Sequence, residues 1–333
     1  MKRILDRIIS ADGPVMLVSV TAASGSVPRG AGAMMAVTPD GSSVGTIGGG
    51  SVEFEATRHA VRLLAEGRSD SVSYVLSKSD VAGLGMICGG DVTVYFQLIT
   101  KESDEPFRYL LEALGRDSSV WLVRKRVNGT FASTGVWEDG KLIFAPDIDP
   151  EAVRPLLRSR AMLTEDLYVE PVSLAGCTYV FGGGHVAQEL VPLLSHVGFR
   201  CIVFEDRADF ARPELFPGVF DTVLGDFSNI AEKVTLGPAD NAVIMTRGHG
   251  FDFEVIAQML ATPAAYIGCI GSRKKIAATK ERLFAEKGFT EADFARVHTP
   301  IGIEILAETP AEIAVSIAAE LIRFRAENCR AGR

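Results

Sequence analysis

Glycines set between an apolar run and an amphipathic one are the first residues in this chain with chemistry to offer. Gly182, Gly183 and Gly184, followed by His185, Val186 and Ala187, stand where a strand should give way to a helix. Small residues there let the backbone approach a pyrophosphate at a helix N-terminus, where unpaired amides favour negative charge. Glu205 follows 23 positions after Gly182, at the end of the next apolar run, where an acid can accept from a ribose hydroxyl. Asp206 and Arg207 beside it leave the exact group open. Gly182, Gly184, His185, Ala187 and Glu205 are thus the candidate nucleotide set, and the competing reading is a fold kept after its ligand changed. Further on, Thr246-Arg247-Gly248-His249 and Ile270-Gly271-Ser272-Arg273 begin where parallel strands should end. Arg247, His249 and Arg273 could face a phosphate-bearing ligand there or line solvated loops.

The first half has its own candidates. Pro28-Arg29-Gly30 and Gly48-Gly49-Gly50 lie where strands end or helices begin, so exposed amides could cradle an anion with Arg29 supplying charge. Tight turns are the plainer reading of both. Cys88 precedes Gly89 and Gly90 just before a strand, a setting in which the sulfur could be sterically open and the following amides could stabilise a thiolate or an oxyanion, against a purely structural role. Cys177, Cys201 and Cys269 sit in or beside apolar strands, as buried small hydrophobes do, and Cys329 is near the terminus. The five cysteines include no Cys-x-x-Cys pair, and the five histidines have no metal-ligand spacing. No G-x-S-x-G elbow or Walker loop occurs, which disfavours hydrolase and ATPase chemistry.

The elements that must position these residues follow from pattern. Residues 1–10 read as a helix, 15–20 as a buried strand, and 33–38 with 43–47 as a hairpin about Pro39-Asp40-Gly41. Ser51 is a plausible N-cap for a helix over 52–65 that ends at Gly67. Strands at 71–76 and 91–99 complete an N-terminal mixed α/β domain, residues 1–100. Residues 101–174 read as an annex or linker, with a short helix, weaker strands and a flexible boundary at the acidic, Pro-containing run 147–155. From 175 to 330 strands and helices alternate, predicting a Rossmann-like doubly wound parallel sheet. Thr309-Pro310-Ala311-Glu312 is a capping sequence ahead of a final helix with Ile313, Ile317, Leu321 and Phe324 on its apolar face.

Composition narrows the partners. A chain of 333 residues suits two domains, and 47% hydrophobic with 23% charged residues is that of a folded globular protein. The net charge of −8 argues against nucleic acid held by phosphate contacts. The opening residues alternate charge with apolar character, unlike a signal peptide, and no run reaches the roughly 18 apolar residues of a membrane span. A reducing cytoplasm is the expected compartment, and a homodimer the expected assembly.

Taken together, the motifs resemble those of the xanthine dehydrogenase accessory (XdhC/CoxI) family. Those that carry the resemblance are Ser26-Val27-Pro28-Arg29-Gly30, Gly45-Thr46-Ile47-Gly48-Gly49-Gly50 and Cys88-Gly89-Gly90, then Phe181-Gly182-Gly183-Gly184-His185-Val186-Ala187, Thr246-Arg247-Gly248-His249, residues 266–273, and Pro300-Ile301-Gly302 before Ala307-Glu308-Thr309-Pro310. The middle region, 100–174, adds little. One departure is Ile303-Glu304-Ile305-Leu306, where the family pattern has Leu-Asp-Ile-Gly. The resemblance implies a chaperone that binds molybdenum cofactor, shields it while a cysteine desulfurase supplies a sulfido ligand, and delivers it to a xanthine dehydrogenase-type molybdoenzyme. It further implies that Cys88 contacts or protects the molybdenum end, that Arg29 and Gly48 to Gly50 line the same site, and that the Rossmann loop holds phosphate, NAD(P) or another nucleotide. Two other readings stay open: an NAD(P)-dependent oxidoreductase with His249 as proton donor to a substrate carbonyl, and a nucleotide-sensing scaffold without chemistry.

Overall fold

The apolar stripe Ile4, Leu5 and Ile8 buries one face of helix α1 (Lys2–Ser10), as the spacing predicts. The architecture comes from a computed structural model that describes residues 1–76, 90–116, 118–127 and 130–331. The chain divides into two units, Met1–Leu174 and Ala175–Arg333.

The first unit contains two antiparallel sheets. Strands β1 (Val15–Gly25), β2 (Met34–Val37), β3 (Ser43–Gly45), β4 (Asp70–Leu76) and β5 (Gly90–Ile99) form one, in the order β3-β2-β1-β5-β4. Helix α2 (Gly50–Glu66) lays Ala56, Ala60, Leu63 and Leu64 against Met16, Val18, Met35, Val37 and Phe96 of this sheet. It stops at Gly67, whose φ of 67° only glycine adopts without cost. The expected N-cap at Ser51 is displaced: the cap position is Gly49, and Ser51 lies within the first turn.

Residues 101–174 build helix α3 (Glu105–Ala113) and a second sheet of β6 (Val120–Val127), β7 (Thr130–Glu138), β8 (Lys141–Ile143), β9 (Met162–Leu163) and β10 (Leu167–Ser173), in the order β8-β7-β6-β10-β9. The run read as a flexible boundary is instead anchored. Asp149 caps helix α4 (Pro150–Val153) by accepting from the Glu151 amide at 3.0 Å, while Ile148 and Val153 pack with Val123, Trp137 and Val169. Its acidic and prolyl residues belong to a helix start, which composition alone does not distinguish from a linker.

The two sheets meet across a polar layer. Arg124 on β6 is fully buried and donates to Glu170 on β10 at 2.6 Å, to Ser19 on β1 at 3.2 Å and to Gln97 on β5 at 3.3 Å. Tyr168 donates to the other Glu170 oxygen at 2.9 Å. Burial pushes the Glu170 carboxyl above its ordinary range, with the Arg124 charge pulling the other way.

The second unit alternates β11 (Thr178–Phe181), α5 (His185–His196), β12 (Cys201–Glu205), β13 (Asp221–Leu224), β14 (Asn241–Ile244), α6 (Asp252–Leu260), β15 (Tyr266–Cys269), α7 (Arg273–Lys287), α8 (Glu291–Phe294), β16 (Val297–His298) and α9 (Pro310–Ala331). All pairings are parallel, in the order β13-β12-β11-β14-β15-β16. This is a doubly wound Rossmann sheet, and its order reverses between β11 and β14. One face packs α5 and α9 through Leu190, Leu194, Ile317 and Leu321, and the other packs α6 and α7 through Val255, Met259 and Leu283. The capping sequence before α9 closes as expected, with Glu312 accepting from the amides of Glu308 and Thr309, both at 2.9 Å. Among the described residues, no helix is long and apolar enough to cross a membrane.

Candidate functional site

In the first unit, three of the glycine motifs come together. A Cβ on Gly48 would lie 2.9 Å from the Pro28 Cβ and 3.6 Å from the Arg29 amide nitrogen. A Cβ on Gly90 would lie 2.3 Å from the Ser24 carbonyl oxygen and 3.1 Å from the Ser26 nitrogen. The loop carrying Arg29 therefore packs directly on both Gly48 and Gly90, and neither position has room for a side chain. Gly48, Gly49 and Gly50 take φ of 139°, 74° and 63°, a left-handed run that only glycine makes cheaply. Arg29 is exposed. Cys88 and Gly89 lie outside the described residues.

The backbone of this turn is already spoken for in part. Glu53, in the first turn of α2, accepts from Thr46 Oγ1 at 2.6 Å and from the amides of Ile47 and Gly49, both at 3.0 Å, while the Gly48 amide donates to Thr46 Oγ1 at 3.1 Å. Burial would raise the Glu53 pKa, but the hydrogen bonds from Thr46, Gly49, Ile47 and Gly48 outweigh it and lower the value. An internal carboxylate thus occupies amides that the sequence offered to an external anion.

In the second unit, the loop after β11 follows the dinucleotide pattern at backbone level. Gly182 has φ 116°, and a Cβ there would meet the Met245 carbonyl oxygen at 2.4 Å; one on Gly183 would meet the Phe210 oxygen at 2.5 Å. Gly184 caps α5 and has open space around it, His185 is exposed, and Ala187 is buried against the sheet. Glu205 is 1% exposed, and its carboxylate accepts from the Gly183 amide at 2.6 Å and from Arg207 at 2.7 and 3.0 Å. Burial opposes its ionisation, yet the bonds from Arg207, Asp206 and Gly183 hold its pKa at about 2. Asp206 is pushed up, first by burial and then by Glu205.

At the end of β14, Arg247 is exposed while His249 adopts a left-handed φ of 62°. His249 Nδ1 lies 2.7 Å from Asp252 Oδ2. The other Asp252 oxygen accepts from Thr246 Oγ1 at 2.6 Å and from the Thr246 amide at 3.2 Å. Arg273 is exposed at the start of α7, so the stretch after Ser272 is a helix where the sequence reading allowed a loop. Cys177, Cys201 and Cys269 are buried as expected, and burial pushes the Cys201 thiol up to about 12. Among the described residues no group of His, Cys, Asp and Glu could hold a metal ion.

The profile of the XdhC and CoxI family matches residues 8–75, and that of the XdhC Rossmann domain matches residues 178–321. The chain belongs to the XdhC and CoxI family. This XdhC/CoxI chain is 26% identical over 332 residues to a probable xanthine dehydrogenase component of Bacillus subtilis (strain 168), covering 96% of each. It is 24% identical over 326 residues to the molybdenum cofactor insertion chaperone PaoD of Escherichia coli (strain K12), covering 96% of this chain and 86% of PaoD. The crystal structure of a xanthine dehydrogenase from Bacillus halodurans shares the fold, with a TM-score of 0.83 at 24% identity over 98% of this chain and 96% of the other. Three residues of the XdhC/CoxI chain that matter to the geometry escaped the sequence reading: Glu53, Thr246 and Asp252. Glu53 was legible in principle, as an acid in the first turn behind a glycine cluster. Asp252 was legible too, as an acid three residues after His249.

Proposed function

We propose that this protein is an accessory chaperone of a xanthine dehydrogenase-type molybdoenzyme, which takes up molybdenum cofactor, supports its sulfuration and passes it on. The observation that carries the reading is the packing of the Arg29 loop on Gly48 and Gly90, which gathers the N-terminal motifs at one place next to the segment bearing Cys88. The names of the B. subtilis and E. coli relatives support it.

The residues suit such a cargo. Arg29 brings an exposed cation to a wall of glycines, where no side chain holds a flat anionic pterin away from the backbone. Glu53 keeps that wall in its left-handed course, so the turn is rigid before the cargo arrives. The cofactor, when bound, supplies the molybdenum centre whose sulfido ligand the hydroxylase needs. In this reading Cys88 lies at the molybdenum end, and the Rossmann unit, through Gly182, Gly184, His185, Ala187, Arg247, His249 and Arg273, holds a phosphate or NAD(P)-type nucleotide. A cysteine desulfurase is the sulfur donor, and the working form is a homodimer.

The test is retention of molybdenum cofactor by the purified chain after anaerobic incubation and desalting, read as molybdenum content and pterin fluorescence. Stoichiometric retention that falls in Arg29→Ala and Cys88→Ala is expected. No retention, together with nicotinamide binding and substrate-dependent oxidation of reduced nicotinamide, would replace this reading with that of an oxidoreductase.

A further inference from the structure

The reading above leaves unused a recess on the far side of β14 from the glycine loop. It lies over the carboxyl ends of β14 and β15, encloses about 300 Å³ including its mouth, and is lined by His249, Asp252, Cys269, Gly271, Lys275 and Thr279 among apolar residues. We propose that this recess seats a small oxyanion, a phosphate or carboxylate group, contacted by His249, with Asp252 and Thr246 as positioning residues.

Four observations carry this. His249 holds a left-handed backbone that costs a residue with a Cβ about 1–3 kcal/mol, a strain that persists only where surroundings enforce it. The enforcing group is Asp252, 5% exposed and itself locked by the Thr246 amide and hydroxyl, so the carboxylate cannot swing away from Nδ1. A carboxylate at Nδ1 fixes the proton on that nitrogen and leaves Nε2 as the working atom, for which no protein partner occurs among the described residues. The site also favours anions. Lys275 on the first turn of α7 lines the same recess, and a buried carboxylate behind the ring favours imidazolium when an anion arrives in front of it. The charged or titratable groups around the ring are Asp252 from α6, Lys275 from α7 and Cys269 from β15. Burial and Asp252 push the Cys269 thiol up, so it faces the recess uncharged.

Gly271 supplies a clean perturbation. A Cβ there would lie 3.4 and 3.6 Å from Ile276 carbons and 4.0 Å from His249 Cε1, all ordinary contacts. Gly271→Ala therefore folds, yet places a methyl against the ring.

The experiment titrates the full cofactor-free chain with inorganic phosphate and, separately, with acetate, by calorimetry in two buffers of different ionisation enthalpy. Binding of at least one anion with net proton uptake is expected, and preference between the two identifies the ligand class. His249→Asn, a residue that tolerates the left-handed backbone, should weaken binding about tenfold or more and abolish proton uptake. Asp252→Asn should lose proton uptake, and Gly271→Ala should weaken binding without a change in melting temperature. Failure of both anions to bind, or equal binding by wild type, His249→Asn and Gly271→Ala, would overturn the proposal. Molybdenum cofactor retention is a separate measurement, so failure of either reading leaves the other standing.

Discussion

Consider Glu205→Gln, which keeps the shape of the side chain and removes its charge. In the folded chain the Glu205 pKa is lowered from 4.5 to about 2. At about 1.4 kcal/mol per unit, that difference corresponds to roughly 3 kcal/mol of stability at pH 7, and the partly exposed Arg207 reduces the expectation to about 2 kcal/mol. A folded pKa below the unfolded one makes this stability fully present above pH 4.5 and lost as pH falls towards about 2. The assay is urea denaturation of the full chain. Both tryptophans, Trp121 and Trp137, lie in the first unit, so far-UV ellipticity reports the second unit and tryptophan fluorescence is an internal control. A slope near 2 kcal/mol/M turns the loss into a midpoint shift of about 1 M in ellipticity, with little change in fluorescence. The shift should shrink as the pH is lowered below 4.5. A shift under about 0.5 kcal/mol, accompanied by loss of nucleotide binding, would refute the reasoning and return Glu205 to the ribose-binding role its sequence position suggested.

Other outcomes follow from the same geometry. Glu53→Ala strips three acceptor contacts from the turn at residues 46–49; it should cost about 1–2 kcal/mol and accelerate hydrogen exchange at the Ile47 and Gly49 amides. Glu170→Leu alone leaves Arg124 buried without its anion and should cost about 3–5 kcal/mol, while the double change with Arg124→Met should recover most of it in thermal denaturation. Leu306 holds φ 58° while 85% exposed. Leu306→Gly should therefore be neutral or stabilising by less than about 1 kcal/mol, and Leu306→Val should destabilise.

The Rossmann half was legible because each strand is a short apolar run closed by a glycine or a charged loop, and because the α9 cap obeys local rules that tertiary packing did not override. Helix α7 was not legible. Leu283 is the one fully buried residue of its 15, so it lacks the apolar stripe that periodicity detects. The second sheet was faint for a related reason: β6 carries Arg124 and Lys125 amid its apolar residues, and only the structure reveals that Arg124 is an interior group. At the site, sequence named the backbone glycines well, since positive φ and close approach demand that residue type. It named the acids poorly. Whether Glu205 turns outward to a ribose or inward to Gly183 and Arg207 depends on side-chain direction, which spacing does not encode.

The interior pairing of Arg124 has a consequence for how the chain is made. Its partners come from positions 19, 97 and 170, and the Tyr168 hydroxyl reaches the Val20 carbonyl across 148 residues of chain. During synthesis from the N-terminus, β1, β5 and β6 emerge while the anion that neutralises Arg124 does not yet exist outside the ribosome. Until β10 follows, burying that guanidinium is costly, and the first sheet waits with one face uncovered. Such a nascent half is a natural client for general folding helpers, and its closure marks the moment at which the nucleotide-type half can begin to form.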